Sequence, residues 1–304
     1  MELKQIRPSD YDSLKKFFYK QKYPLCAYSL PSILVWSGKS HKPYGAISGD
    51  ALIVCVEFDA IQEKNRHMIL PISPNGESSP EELFDLANEA GFERYWFVPE
   101  DYIDRFGRDQ VEALFEIQEQ AELEDYIYLT EDLANLKGNK YAKKRNLIKQ
   151  FKREYLQKDR ARAEDITSDD VPECLDFMKK WCEERDCDAD PEADLACEKE
   201  AAINALDNIE ILDVSGTLLR VDEEVCAFGI ISHLTEDMAA MHFEKAFSHI
   251  KGLYQFFDSL CAKQLLGKYK YINKESDMGI PGLAKAKRSY HPVMMLKSYK
   301  LTIR

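Results

Sequence analysis

Two stretches of the chain carry side chains whose types and spacing suit chemistry. The first, "HFEKAFSHIKGLYQFFDSL", begins at His242. Along an extended strand, alternation puts His242 and Glu244 on one face and Met241 and Phe243 on the other, so a carboxylate and an imidazole stand together where a general base would be useful. The loop Ser248 to Gly252 then opens a helix. Free amides at a helix N-terminus suit a phosphate or a developing oxyanion, and a plain strand–loop–helix joint accounts for the same residues equally well. The second stretch, "NKESDMGIPGLAKAKRSYHP", runs from Asn273 to Pro292. It delivers Asn273, Glu275 and Asp277 at a sheet end and turns tightly at Gly279 and Gly282. It then sets Lys285, Lys287 and Arg288 on a short helix that Pro281 can open, ahead of Tyr290 and His291. With Lys274 these cations surround a turn that suits something negatively charged.

A third candidate is a run of like charge. From Lys137 to Arg153 there are eight basic residues and no acid. A charge run is usually a solvated face, but a solvated helix mixes signs for i,i+4 pairing, so an unmixed one repels itself until an anion answers it. Lys143, Lys144, Arg145 and Asn146 are the first expected phosphate contacts. The whole chain is acidic, with a net charge of −13, yet residues 137–162 carry +9 and residues 268–304 carry +7. Such asymmetry favours local docking of a phosphate-bearing partner over general adhesion to nucleic acid.

The elements that must position these groups read as a repeat. "LKQIRPSDYDSLKKFFYK" from Leu3 and "ARAEDITSDDVPECLDFMKKW" from Ala161 share a short strand, a polar cap and an apolar-striped helix. At a shift of 160, Ile6 meets Ile166, Asp10 meets Asp170, Tyr11 meets Val171 and Phe17 meets Phe177. Both copies later place a helix before a strand, "PEELFDLANEAG" before "RYWFVPE" and "GLYQFFDSLCAKQLLG" before "KYKYINKE". The second copy reads as strand 161–167, helices 169–185 and 192–206, and strands 209–214, 216–221, 224–234 and 238–246. Helix 251–266, strand 269–273, helix 280–289 and strand 292–303 follow. This order predicts an α/β (α+β) fold with mixed β-sheets, divided as an N-terminal domain 1–135, a basic linker helix 136–160 and a C-terminal domain 161–304.

Composition sets the remaining bounds. An apolar share of 45% and a charged share of 31% describe a folded globular chain. The longest apolar run, Ala51 to Val56, falls far short of the roughly 20 residues that span a bilayer, and the N-terminus has no apolar segment of the export type, so the expected location is cytoplasmic. Eight cysteines without a Cys-x-x-Cys read as reduced, buried thiols; Cys182, Cys187 and Cys197 in the acidic segment 183–200 and its edge lack zinc spacing, so no metal site is expected. There is no Walker loop, G-x-G-x-x-G, G-x-S-x-G or H-E-x-x-H.

The two chemical stretches resemble the soluble C-terminal domain of phosphatidylglycerol lysyltransferases and their stand-alone bacterial relatives, and "KYAKKRNLIKQF" resembles the linker of that family. The likeness covers nearly the whole chain. It implies two tandem GNAT-like acyltransferase domains, as in the Fem-type peptidoglycan aminoacyltransferases, and movement of an amino acid from aminoacyl-tRNA to an acceptor. Lys143, Lys144, Arg145, Asn146, Glu244, Lys245, Lys251, Gly252, Asn273, Glu275, Asp277, Lys285, Lys287, Tyr290 and His291 fall on the family's motif positions. The catalytic candidates are then Glu244, Glu275, Lys245, Tyr290 and His291, with Glu244 or Glu275 as base and Lys245 and the Lys251-Gly252 loop at the oxyanion or phosphate. His242 and Arg288 join the others as binding candidates.

Two departures from relatives shape the expectation. The family's lysyltransferases carry a multi-span membrane domain ahead of this fold, whereas this sequence starts in the soluble fold. GNAT enzymes that use acetyl-CoA place a small residue where Tyr254 stands here, so an acyl-CoA cofactor is disfavoured and none is expected. The sequence thus predicts an aminoacyltransferase taking aminoacyl-tRNA or another phosphate-bearing donor, with a small-molecule, peptide or lipid-headgroup acceptor bearing an amine or hydroxyl. An acyl-CoA-dependent N-acyltransferase and a non-catalytic RNA- or anion-binding module on the same fold are the alternatives.

Overall fold

The computed structural model describes residues 1–38, 41–59, 64–185 and 194–304. The first half contains β1 (Lys4–Gln5), α1 (Tyr11–Leu14), α2 (Leu30–Val35), β2 (His41–Ser48), β3 (Ala51–Asp59), β4 (Lys64–Met68) and α3 (Pro80–Ala90). It continues through β5 (Arg94–Pro99), α4 (Glu100–Phe106), α5 (Arg108–Glu112), β6 (Phe115–Glu119), β7 (Asp125–Leu129) and α6 (Thr130–Asn135) to the linker helix α7 (Ala142–Glu154). The second half holds β8 (Ala161–Asp165), α8 (Val171–Arg185), α9 (Asp194–Asp207), β9 (Val214–Val221), β10 (Glu224–Thr235) and β11 (Met238–Ala246). After these come α10 (Leu253–Leu265), β12 (Tyr271–Asn273), α11 (Pro281–Arg288), β13 (Met294–Leu296) and β14 (Ser298–Ile303).

The repeat seen in the sequence is a repeat in space. The first sheet runs β1-β2-β3-β4-β5-β14-β6 and the second β8-β9-β10-β11-β12-β7-β13, each mixed, with parallel pairs at β4–β5 and β11–β12. Equivalent residues do equivalent work: Asp10 accepts the Arg7 amide and Asp170 the Thr167 amide, each satisfying a donor at a helix start. Ile6 and Ile166 lie so close to glycines of the neighbouring strands that a Cβ on Gly45 would meet Ile6 at 2.8 Å, and one on Gly216 would meet Ile166 at 2.9 Å.

Each half lends the other a strand. β7 inserts between β12 and β13, and β14 inserts between β5 and β6, so sheet membership does not follow a cut at 135 and 161. The expected strand 292–303 accordingly breaks at Lys297, with Met294–Leu296 bonding to β7 and Ser298–Ile303 to β5 and β6. The expected strand 209–214 is a set of turns in which the amides of Ile211 and Leu212 return to the Asn208 carbonyl. One apolar core runs through both halves. The helices close where the sequence says they should: α3 starts at a reciprocal Ser79–Glu82 cap and stops at the left-handed Gly91. Among the described residues no helix is long and apolar enough to cross a membrane.

Candidate active site

The parallel strands β11 and β12 pair only from Met238 to Ala240 and from Tyr271 to Asn273. Beyond that point no ladder joins them, and a cavity of about 1000 Å³ opens there and extends into the first half of the chain. β11 is irregular at this place: Ile230 faces Phe243 and Ile231 faces Met241, which leaves His242 as an extra residue. Such a bulge breaks the two-residue period. His242 and Glu244 line the cavity together as the spacing predicts, but Met241 joins them instead of facing away with Phe243, and Lys245 also lines the cavity.

The centre of the site is a buried cluster of charges. Lys274 Nζ donates to Glu244 Oε2 at 2.5 Å and to Asp258 Oδ2 at 2.8 Å, and the three side chains are only 13%, 11% and 4% exposed. Burial raises the Glu244 pKa to about 7, helped by the neighbouring Asp258 and opposed by Lys274. Burial works against the Lys274 charge, yet Asp258 and Glu244 more than offset it and hold its pKa well above the usual value. Asp258 Oδ1 is buried without a hydrogen-bond partner among the described residues. At the rim, Lys144 Nζ donates to Ser289 Oγ at 2.8 Å and lies 3.3 Å from the centre of the Tyr290 ring; burial lowers its pKa to about 8.

A second set of hydrogen bonds fixes the walls. His242 Nδ1 lies 2.9 Å from Glu275 Oε1 and its Nε2 lies 2.8 Å from Ser232 Oγ, so both ring nitrogens are engaged. Asn273 is fully buried and donates to the Pro24 carbonyl and to Asp125, while its own oxygen accepts the Glu275 amide. Burial raises the Asp125 pKa to about 6 against the hydrogen bonds from the Cys26 amide and Asn273. Lys287 Nζ donates to the carbonyls of Lys274, Glu275 and Ser276, which holds a loop where Glu275 and Met278 both have positive φ. Lys245 pairs with Glu198 at 2.5 Å and stands 4.5 Å from the Trp181 ring centre.

The structure thus brings Glu244, Glu275, His242, Lys245, Lys287 and Tyr290 to one cavity, with Asn273 just behind it. Others lie elsewhere. Gly252 and Lys251 do not line it: Gly252 has φ +84°, and a Cβ there would lie 2.3 Å from the Leu147 carbonyl oxygen of α7, so this glycine serves the packing of α7 on α10 rather than an anion loop. Arg145 is spent on the carbonyls of Leu136 and Gly138. Asp277 caps its own turn through the Gly279 amide and accepts from Tyr126. His291 is exposed, edge-on to Tyr141, and Lys143, Asn146, Lys285 and Arg288 are exposed outside the cavity. Among the described residues no buried cation stands free for the anion expected at the Gly-Ile-Pro-Gly turn, because Lys274 and Lys287 are committed to protein groups.

Sequence reading missed Asp258, Ser232, Glu198 and Asp125, and read Lys274 as one of the cations around the turn rather than as the partner of Glu244 and Asp258. Asp258 did carry a signal: it is the one acid in the apolar helix "LYQFFDSLCAKQL". The side chains of Cys187 and Cys197 lie outside the described residues. The six described cysteines are free and buried, and no group of three His, Cys, Asp or Glu residues there is placed to hold a metal.

The comparisons with known proteins agree with this architecture. No curated protein matches the chain. A conserved protein of unknown function from Bacteroides thetaiotaomicron is 29% identical over all of both chains, with a TM-score of 0.87. The C-terminal domain of a protein described as a candidate lysylphosphatidylglycerol synthetase from Agrobacterium fabrum has a TM-score of 0.63 at 14% identity, over 97% of this chain and 92% of that one. A tandem GNAT protein from the clavulanic acid pathway superposes more loosely, with a TM-score of 0.45 at 6% identity over 98% and 97%. The family described as "Phosphatidylglycerol lysyltransferase, C-terminal" matches residues 25–302, and on that match the chain belongs to this family of acyl-group transferases.

Proposed function

We propose that the protein transfers an aminoacyl group from aminoacyl-tRNA to an amine or hydroxyl acceptor, with Glu244 as the general base. The observation that carries this reading is the Glu244–Lys274–Asp258 cluster in an acid-rich cavity: Glu122, Asp125, Glu198, Glu244, Asp258 and Glu275 line it against Lys245, Lys274 and Lys287. An excess of carboxylates, one with an unpartnered buried oxygen, suits a donor that brings its own ammonium group. An aminoacyl ester does so, and an acetyl group does not.

The ester is already activated, so the protein has to position two substrates, move one proton and meet the oxyanion. The acceptor nitrogen or oxygen forms a bond to the ester carbonyl carbon while its proton passes to the Glu244 carboxylate. The intermediate then expels the ribose oxygen with the electron pair of the ester bond, and that oxygen takes the proton from Glu244. A pKa of about 7 lets Glu244 both accept and return a proton near neutral pH. Lys144, cationic yet partly desolvated, supplies positive charge at the rim. His242 bridges Ser232 and Glu275 through its two ring nitrogens and so orients Glu275.

The test offers the purified protein charged tRNA, uncharged tRNA and acetyl-CoA separately, with a mixed pool of amine and hydroxyl acceptors, and follows label into product. Transfer from charged tRNA alone supports the reading. Transfer from acetyl-CoA would replace it with an N-acyltransferase, and tRNA binding without transfer to any acceptor would replace it with a binding module.

A further inference from the structure

The cavity has two ends of opposite character. The second half supplies most of its charged groups, whereas the described residues between 25 and 97 that line it include no Asp, Glu, Lys or Arg. Trp36, His41, Val54, His67, Ile69 and Trp96 are among the residues at this uncharged end. The His67 imidazole stacks on the Trp96 indole with ring centres 4.5 Å apart and planes within 10°. Phe97, at φ +57°, is held in that rare backbone region by Gln120, which accepts its amide hydrogen, and by Tyr28, which donates to its carbonyl; the kink lets consecutive residues Trp96 and Phe97 both reach the cavity.

Two polar atoms at this end have no partner among the described residues. His67 Nδ1 and Trp96 Nε1 are both buried without a hydrogen bond among the described residues, although His67 as a whole is only 5% exposed. Burial, with His41 nearby, lowers the His67 pKa to about 3, so its ring is neutral. Buried polar groups are almost always satisfied, and leaving them so is costly. A hydrocarbon chain would fill this end and leave both atoms unmet. A phosphate would find no cation among the described residues here.

We infer that the uncharged end is a binding site for a neutral, flat, hydrogen-bonding ring, accepting from the Trp96 indole N–H and pairing with His67, and that it holds the acceptor. Only the acceptor role rests on the transfer reading above; the binding does not.

Four probes separate the possibilities on the full chain: 2-quinolone, a neutral fused-ring lactam; naphthalene, its hydrocarbon analogue; 1-octanol; and glycerol 3-phosphate. Calorimetry should show 2-quinolone binding, weakened about five- to tenfold in Trp96→Phe and in His67→Phe, with naphthalene changed less than about twofold. In the wild-type protein, whose three tryptophans give three indole N–H resonances, 2-quinolone should move the Trp96 signal downfield; this readout needs no variant to fold. Absence of 2-quinolone binding, an unmoved Trp96 signal, or displacement of 2-quinolone by 1-octanol or glycerol 3-phosphate at lower concentration would overturn the site. If charged tRNA gives no transfer while 2-quinolone behaves as expected, the site stands and the acceptor role falls. If transfer occurs and 2-quinolone does not bind, the site falls and the transfer reading stands.

Discussion

At the scale of single residues, the proposed transfer turns on how Lys274 sets the protonation of Glu244. The ammonium favours the ionised carboxylate, and burial and Asp258 oppose it, which leaves the pKa at about 7. Transfer should therefore rise with pH through about 7. Lys274→Met removes the larger of the two favourable charges, leaving only the weaker effect of Lys287, so the Glu244 pKa moves up and the pH–rate profile moves to more alkaline pH. The same change leaves two buried carboxylates facing each other, which costs about 3–5 kcal/mol when both are ionised. Because protonation of Glu244 relieves that repulsion, urea unfolding should show a smaller loss at pH 5 than at pH 8. An equal loss at both pH values would mean that the cluster is not coupled as described. Glu244, Glu275 and His242 were legible from strand spacing and the family motif. Asp258 and Lys274 were not read together because a helix and a strand bring them into contact, and no local period reports that.

At the scale of elements, the linker helix α7 has two faces with different work. Its inner face needs Gly252 bare, since the Leu147 carbonyl occupies the space of a side chain. Gly252→Ala combines a backbone clash with a positive φ and should cost about 3 kcal/mol or more, measured by denaturant unfolding; a loss below about 1 kcal/mol would contradict the close packing. The outer face keeps Lys143, Lys149 and Arg153 exposed, whereas Lys144 belongs to the cavity rim and Arg145 to a helix end. Reversing the charge of Lys143, Lys149 and Arg153 should weaken tRNA binding and flatten the dependence of log K on log salt by about 2, since each lost phosphate contact removes about 0.7 to 0.9 from the slope. An unchanged slope would move the tRNA to another surface. The basic run was legible as a helix, but which of its cations are free depends on partners at Ser289, Tyr290 and Leu136, far from it in sequence or off its own surface.

At the scale of the whole molecule, the two halves are repeats that exchange a strand. The repeat was legible because Ile6 and Ile166 and their caps make the same local contacts. The exchange was not, because "VMMLKSYKLTIR" alternates like one strand and nothing in it marks Lys297 as the point where the chain changes sheets. Deleting residues 298–304 removes β14 from between β5 and β6, so hydrogen exchange should accelerate in β5 and β6 of the first half more than in β9 and β10 of the second; unchanged protection in β6 would contradict the pairing. Such a design makes the cavity the common property of both halves, acid-rich at one end and uncharged at the other. The measurement that bears most directly on its role is single-turnover transfer from charged tRNA by the wild-type protein and by Glu244→Gln. The expected result is a rate lower by about 10²–10⁴ in the variant with charged-tRNA affinity within about twofold; equal rates, or a wild-type protein that transfers from acetyl-CoA and not from charged tRNA, would contradict it.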